Sequence, residues 1–241
     1  MKLLFVDTCG AAAGVAVSCG DRIIAETNLV LDRLLSARLL SVVDTLFKTA
    51  GMTAADLDGI GVAIGPGSFT GIRIGVATVK GMAHAAGVPV VGISSLALLA
   101  ASVPYARHQV CSLMDARKKE VYAGFFSCDP LPVPRGPEQV VSPDALLDTI
   151  SEPTIFVGDG VSAYKDLITA RCARFAFFAP AACSLPRGAS GIVLTRSELQ
   201  RGEGKSPDQL RTVYLRASEA EMTKRLHDTT CGSEKQAARQ L

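Results

Sequence analysis

The residues best suited to chemistry are two aspartates that each follow an apolar run. Asp7 comes after the apolar residues 3–6, and Asp115 comes after the largely apolar residues 109–114. Aspartates at the carboxyl ends of strands that flank a cleft can position a magnesium ion, partly through water. Each carboxylate could instead cap the turn that follows it. The sequence leaves both interpretations open.

The second candidate is the glycine-rich segment GPGSFTG at 65–71, between a short apolar strand and a helix. Gly65, Gly67 and Ser68 would lie where backbone amides and the positive end of a helix dipole suit a phosphate or a carboxylate. The Walker pattern is absent because no Lys-Ser or Lys-Thr pair follows the last glycine, and GxGxxG fails because Thr70 replaces the third glycine. Helix capping by Ser68 or Thr70 is the simpler interpretation.

Other side chains that could catalyse a reaction are not grouped by the sequence. The histidines His84, His108 and His227 are far apart, and no HxxxH or HExxH spacing is present. Cys9 lies nearest to the expected cleft, but the sequence supplies no activating base, so we interpret it as structural. We therefore predict no catalytic residue and no metal site.

The composition is typical of a globular protein with an ordinary core. The chain has 241 residues, 48% of them hydrophobic, and a formal net charge of +2. Its Lys and Arg residues are spread out, so unaided binding of nucleic acid is not indicated. The seven cysteines are odd in number and lack a CxxC pair, which favours a reducing cytoplasm. Apolar runs fall short of the ~18 residues of a membrane helix, so no membrane association is expected.

The apolar periodicity predicts a mixed α/β fold with the element order βββαβαβ in the first hundred residues. One helix should run from about residue 34 to Ala50 and end before Gly51, and a second should end near Ala86. The pattern of strand, aspartate, turn and strand occurs twice, as LLFVDTCGAAAGVAV and as CSLMDARKKEVYAGFF. This repeat predicts a duplicated α/β domain with a cleft between the copies, at 1–103 and 104–221, followed by a loose tail at 222–241.

Both predicted helices carry more apolar or small residues than one core contact requires. The first helix has an apolar face that includes Leu39 and Leu46, and the second has a small-residue stripe that includes Gly75. A small-residue stripe lets another backbone approach closely. Mutual packing within one domain and contact with a partner protein explain these faces equally well.

Four segments identify a family. In order they are LFVDTCGAAAGVAV, DLDGIGVAIGPGSFTGIRIGVATVKGMAHAAGVPVVGISSL, LMDARKKEVYAGFF and VYLRASEAE. They closely resemble the TsaB (YeaZ-type) proteins of bacterial threonylcarbamoyladenosine tRNA modification. The segment GPGSFTGIRIGVAT is highly specific, whereas residues 128–210 match loosely.

The resemblance implies two actin-like (RNase H-like) lobes, that is, a duplicated mixed sheet flanked by helices. Asp7-Thr8 and Asp115 then look like two former phosphate-side turns. The family is similar to the catalytic subunit TsaD but lacks its metal-binding histidines, as this chain does. No cofactor is implied for the isolated chain, while ATP and magnesium are compatible with the complex. The nucleotide or anion candidates are Asp7, Thr8, Gly65, Gly67, Ser68 and Asp115.

The resemblance also implies a non-catalytic platform that dimerises with TsaD through its first two helices and is joined by the ATPase TsaE. The complex transfers threonylcarbamoyl to N6 of the adenosine next to the anticodon in ANN-decoding tRNAs, so tRNA is reached through the complex only. The expected interface positions are Leu35, Leu39, Val42, Leu46, Arg73, Gly75, Ala77 and Lys80.

One departure from the family and two alternatives accompany this expectation. Many relatives begin the first helix with His-Ser-Glu, where this chain has Leu35-Ser36-Ala37, which points to an altered contact surface. The chain could instead be a stand-alone actin-like ATPase or small-molecule kinase that uses Asp7 and Asp115. A homodimeric nucleotide-binding module is the other alternative, and self-association of the isolated chain stays open.

Overall fold

The computed structural model describes residues 1–10, 12–30 and 35–216. The predicted tail at 222–241 lies outside these residues. The elements of the first half are β1 (Lys2–Asp7), β2 (Ala12–Cys19), β3 (Arg22–Val30), α1 (Leu35–Ala50), β4 (Gly59–Gly65), α2 (Phe69–Ala86), β5 (Val90–Ser94) and α3 (Ser95–Ala100). The predicted order βββαβαβ is confirmed, and α3 follows it directly.

The second half adds a second sheet and then returns to the first. Its elements are β6 (Gln109–Asp115), β7 (Val121–Cys128), β8 (Pro132–Pro134), β9 (Gln139–Val141), α4 (Pro143–Leu147), β10 (Thr154–Val157), α5 (Asp159–Cys172), β11 (Ala176–Phe178) and α6 (Gly188–Gln200). The segment Gly-Asp-Gly at 158–160 lies at the start of α5.

The two sheets repeat one arrangement. The first has the strand order β3-β2-β1-β4-β5, and the second has β11-β10-β6-β7-β8 with β9 also paired to β7. In each sheet an antiparallel hairpin, β1 with β2 or β6 with β7, is continued by strands parallel to its first member. Asp7 ends β1 and Asp115 ends β6, so the two aspartates occupy equivalent positions. The structure thus confirms the predicted duplication.

Left-handed glycines end the first two helices. Gly51 has φ +61° directly after α1, and Gly87 has φ +68° at the end of α2, where its N–H donates to the Ala83 carbonyl. A residue without Cβ adopts this conformation at little cost, so glycine is the usual helix stop. None of the described helices is long and apolar enough to cross a membrane.

Helix α6 packs on the first sheet although it follows the second sheet in the chain. A Cβ on Gly191 would lie 2.2 Å from the Phe5 ring, and a Cβ on Gly61 would lie 1.8 Å from the Thr195 hydroxyl. Leu210 then joins the core of the first sheet. A boundary at residue 103 divides the strands of the first sheet from those of the second. It does not divide the two lobes, because α6 and Leu210, which follow the second sheet in the chain, complete the first lobe.

Candidate functional site

The turn after β1 packs against the start of α2. The Thr8 hydroxyl donates a hydrogen bond to the Gly71 carbonyl at 2.7 Å, and the Ser68 amide donates to the Cys9 carbonyl at 2.7 Å. The approach depends on glycine, since a Cβ on Gly71 would lie 2.0 Å from the Thr8 carbonyl oxygen and one on Gly75 would lie 2.3 Å from the Thr8 hydroxyl. The small-residue stripe of α2 thus faces this turn.

The glycine-rich loop is held by contacts within the protein. Ser68 is the N-cap of α2, and its hydroxyl accepts from the Gly71 amide at 3.2 Å, which confirms the capping interpretation for this residue. A Cβ on Gly67 would lie 2.3 Å from the Cys9 carbonyl oxygen, and one on Gly65 would lie 2.4 Å from the Val213 carbonyl oxygen. Two amides at this helix terminus therefore already have acceptors in the chain.

Asp7 is buried beneath the same turn. The residue is only 1% exposed to solvent, and one of its carboxylate oxygens accepts a hydrogen bond from the Cys9 amide at 2.8 Å. The other oxygen, Oδ2, has no hydrogen-bond partner among the described residues. Burial disfavours the charged form and raises the pKa of the Asp7 carboxyl from 3.8 to about 6. The Asp7 carboxyl therefore has almost no contact with solvent in this structure.

Cys9 is a buried structural thiol, as interpreted from the sequence. Its sulfur donates to the Ala63 carbonyl at 3.4 Å. Burial raises the pKa of this thiol well above its ordinary value, and the charge of Asp7 raises it further. Because the thiolate is the reactive form, this cysteine is inert at neutral pH.

Asp115 lies at the equivalent turn of the second lobe but is exposed. Its carboxylate accepts from the Arg117 amide at 2.8 Å, and its own amide donates to Asp159 Oδ1 at 3.3 Å. Asp159 begins α5, and burial raises the pKa of its carboxyl. Asp159 could not be identified from the sequence as a neighbour of Asp115, because the two are brought together only by the pairing of β10 with β6. Among residues 1–10, 12–30 and 35–216, no group of three or more His, Cys, Asp or Glu side chains is placed to hold a metal.

A small cavity lies at the interface of the two lobes. This cavity of about 10 Å³, roughly the space of one water molecule, lies between the turn of the first lobe and the end of β6. Its lining residues are Gly10, Ala12, Leu99, Met114, Asp159, Ser184, Leu185 and Pro186. As it stands, this cavity has no room for a nucleotide.

Residues 210–216, which we call the strap, join the two lobes. In the first lobe the Val213 amide donates to the Ile64 carbonyl at 2.8 Å. In the second lobe the Arg216 guanidinium donates to the Ala116 carbonyl at 2.8 Å and forms an ion pair with Glu120. The strap therefore holds the turn after β6 to the end of β4.

Several predicted interface residues lie in the core. Leu39 and Leu46 are 2% and 4% exposed, and Val42 packs against the same core cluster. Gly75 is buried against Thr8. Because these side chains are turned towards the first sheet and the Thr8 turn, we correct the prediction that Leu39, Leu46 and Gly75 present a docking surface. The side chain of Leu35 lies outside the described residues.

A different set of residues on these helices faces outward, and we call it the outer helix face. On α1, Leu40 is 58% exposed, although it was not among the predicted interface positions. Periodicity alone does not show which apolar residue of this helix is exposed, since Leu39 and Val43 beside it are buried. The exposed positions of α2 are Thr70, Arg73, Ala77, Gly81, His84 and Ala85, and Lys80 is half-buried.

Solved structures define the class of this chain. Component A of the (R)-2-hydroxyglutaryl-CoA dehydratase from Acidaminococcus fermentans aligns with a TM-score of 0.52 at 9% identity, covering 83% of this chain and 99% of that one, a likeness of fold alone. YeaZ from Pseudomonas aeruginosa aligns with a TM-score of 0.76 at 30% identity, covering 89% of this chain and 99% of that one. The two lobes thus have the actin-like (RNase H-like) fold.

Sequence comparison defines the family. Residues 29–224 match the family described as "TsaD: tRNA N6-adenosine threonylcarbamoyltransferase". The chain is 33% identical to TsaB of Bacillus subtilis (strain 168), covering 92% of this chain and 96% of the relative. It is 30% identical to TsaB of Escherichia coli (strain K12), covering 69% and 75%. The chain belongs to the TsaB (YeaZ-type) family of tRNA threonylcarbamoyladenosine biosynthesis proteins, which confirms the resemblance.

Proposed function

We propose that this chain is the non-catalytic scaffold subunit of the complex that adds threonylcarbamoyl to N6 of the adenosine next to the anticodon in ANN-decoding tRNAs. It dimerises with TsaD, is joined by TsaE, and acts in the cytoplasm. The names of its relatives support the pathway. The match to the TsaD family supports a pairing of two related folds.

The proposal that the subunit is non-catalytic is supported chiefly by the turn after β1, which contains Thr8 and is bonded to the start of α2. A phosphate at the end of β1 would need free donors there, but the Thr8 hydroxyl is bonded to Gly71 and the Ser68 amide is bonded to Cys9. Asp7 is buried, and one of its carboxylate oxygens already accepts from the Cys9 amide. A catalytic cycle at this turn would require breaking several of these contacts, whereas a scaffold function requires no ligand at this position.

The outer helix face is the proposed contact with TsaD. It combines the exposed Leu40 on α1 with the small residues Ala77 and Gly81 on α2, and small residues let a partner helix approach closely. The guanidinium of Arg73 lies 3.9 Å from the centre of the Phe69 ring. This stacking restricts the Arg73 side chain before binding, which lowers the entropy lost when a partner docks.

We expect Leu40→Asp to weaken TsaD binding at least tenfold. A charge placed in an apolar contact would be buried without a partner, which is unfavourable. A tenfold loss of affinity corresponds to about 1.4 kcal/mol of binding free energy. Titration calorimetry of the purified chain with TsaD measures the effect. The matched control is Val193→Asp on α6, which is also an exposed apolar residue at 46% exposure. Equal affinities for Leu40→Asp and the unmodified chain would contradict the placement of this interface.

The second candidate function is a stand-alone ATPase or small-molecule kinase. It is favoured by the equivalent positions of Asp7 and Asp115 at the ends of β1 and β6. This function predicts nucleotide turnover by the isolated chain that Asp7→Asn abolishes.

Light scattering of the chain with and without TsaD separates the heterodimer from a homodimer.

A further inference from the structure

The hairpin between β6 and β7 carries three consecutive cations at its tip. Arg117, Lys118 and Lys119 are exposed, and their φ angles are +61°, +53° and +61°. Residues other than glycine rarely adopt this left-handed backbone conformation, and three such residues in a row are rarer still. The contacts at the base of the turn must therefore hold it in place. We call residues 116–120 the basic turn.

Hydrogen bonds close the base of the basic turn. The Ala116 amide donates to the Glu120 carbonyl at 3.0 Å, and the Glu120 amide donates to the Arg117 carbonyl at 3.0 Å. The strap adds a third connection, because Arg216 binds the Ala116 carbonyl and pairs with the Glu120 carboxylate. The tip is thus fixed by contacts that do not use the side chains of Arg117 and Lys119.

The basic turn concentrates positive charge that the chain as a whole does not have. The net charge of the protein is +2, yet three cations are adjacent here. Glu120 is paired with Arg216, and Asp115, whose carboxylate accepts from the Arg117 amide, offsets only one of the three positive charges. A fixed, exposed group of cations suits a polyanion, because repulsion among the cations is relieved when phosphates bind.

We propose that the basic turn contacts the phosphate backbone of RNA and, resting on the function proposed above, holds the tRNA substrate on the scaffold subunit. A hairpin tip makes point contacts with successive phosphates, which position a nucleic acid without reading its sequence.

The test compares a neutral and a charge-conserving double variant. Asparagine tolerates the left-handed region better than most residues, so Arg117→Asn with Lys119→Asn removes two charges while preserving the turn. Arg117→Lys with Lys119→Arg keeps both charges and is the matched control. Lys118 stays unchanged in both. Equal melting temperatures verify that the variants fold.

The measurement is the affinity for unmodified tRNA between 50 and 200 mM salt, for the complex with TsaD and TsaE and for the isolated chain. The plot of log affinity against log salt falls with a slope whose magnitude is about 0.7–0.9 for each phosphate contact. The magnitude of this slope should therefore be about 1.5 smaller in the Asn variant. Over this range the unmodified protein should lose roughly tenfold more affinity than the Asn variant. The charge-conserving variant should keep the original slope.

The outcomes separate this inference from the scaffold function. A complex that assembles and binds tRNA with the same salt slope in both variants overturns the role of the basic turn and leaves the scaffold standing. If the complex does not assemble, the scaffold function fails, and the slope of the isolated chain still decides the inference. If neither the complex with TsaD and TsaE nor the isolated chain binds tRNA, the proposed role of the basic turn is overturned. Competition by ATP at concentrations near its own Kd would assign the turn to free nucleotides and also overturn it.

Discussion

Replacing Gly75 with valine is expected to lower the free energy of unfolding by about 3 kcal/mol or more. The first added carbon would lie 2.3 Å from the Thr8 hydroxyl, and that hydroxyl is held by its bond to Gly71. Overpacking of this kind costs about 1–3 kcal/mol, and losing the hydrogen bond adds about 1 kcal/mol. Chemical denaturation of the purified variant measures the change.

The matched control for this prediction is Gly81→Val, on the same helix. Among the described residues, no heavy atom outside its own helix and chain neighbours lies within 4 Å of a Cβ at Gly81. Valine and glycine differ by about 0.5 kcal/mol in helix propensity, so the stability should change little. If Gly75→Val and Gly81→Val have equal stabilities, the inward orientation of the small-residue stripe is wrong. Gly81 is also the better position for probing the interface, because a change there leaves the fold intact.

The second large effect is a pH-dependent gain in relative stability from Asp7→Asn. In the folded chain the pKa of Asp7 is about 6 instead of 3.8. Between these values the folded state binds more protons than the unfolded state, so the contribution of Asp7 to stability falls as pH rises. The shift corresponds to about 3 kcal/mol. Asparagine does not titrate, so the stability of Asp7→Asn minus that of the unmodified chain should rise by about 2.4 kcal/mol from pH 4 to pH 8.

Urea denaturation at several pH values tests this second prediction. The pH-independent part of the difference, which includes the cost of a buried amide in place of Oδ2, does not affect the test. Asp166→Asn removes an exposed carboxylate and controls for the loss of one negative charge. A stability difference for Asp7→Asn that stays constant across the range would show that Asp7 is not held in a desolvated environment.

The local features of the fold could be predicted from the sequence. Asp7 and Asp115 mark the ends of equivalent strands, and Gly51 and Gly87 mark helix ends, because these signals depend on residues close together in the chain. Ser68 was identified as a cap for the same reason. The observed duplication follows from two such local patterns, which is why a faint sequence repeat was sufficient to predict it.

The features that depend on distant contacts could not be predicted. Periodicity placed Gly75 on a stripe of small residues but could not show that Thr8 fills the space beside it. In the same way, α6 packs on the first sheet because Gly191 accommodates the Phe5 ring, a match between positions far apart in the chain. Leu40 and Leu39 are adjacent apolar residues, and only the fold shows which of them is exposed.

The central claim is tested most directly by reconstituting threonylcarbamoyl transfer to tRNA with purified TsaD and TsaE, in the presence and absence of this chain. The scaffold function predicts that transfer depends on adding the chain, that the chain alone turns over no nucleotide, and that Leu40→Asp requires higher concentrations to support the same rate. Transfer that proceeds equally well without the chain, or nucleotide turnover by the chain alone that is lost in Asp7→Asn, would contradict it.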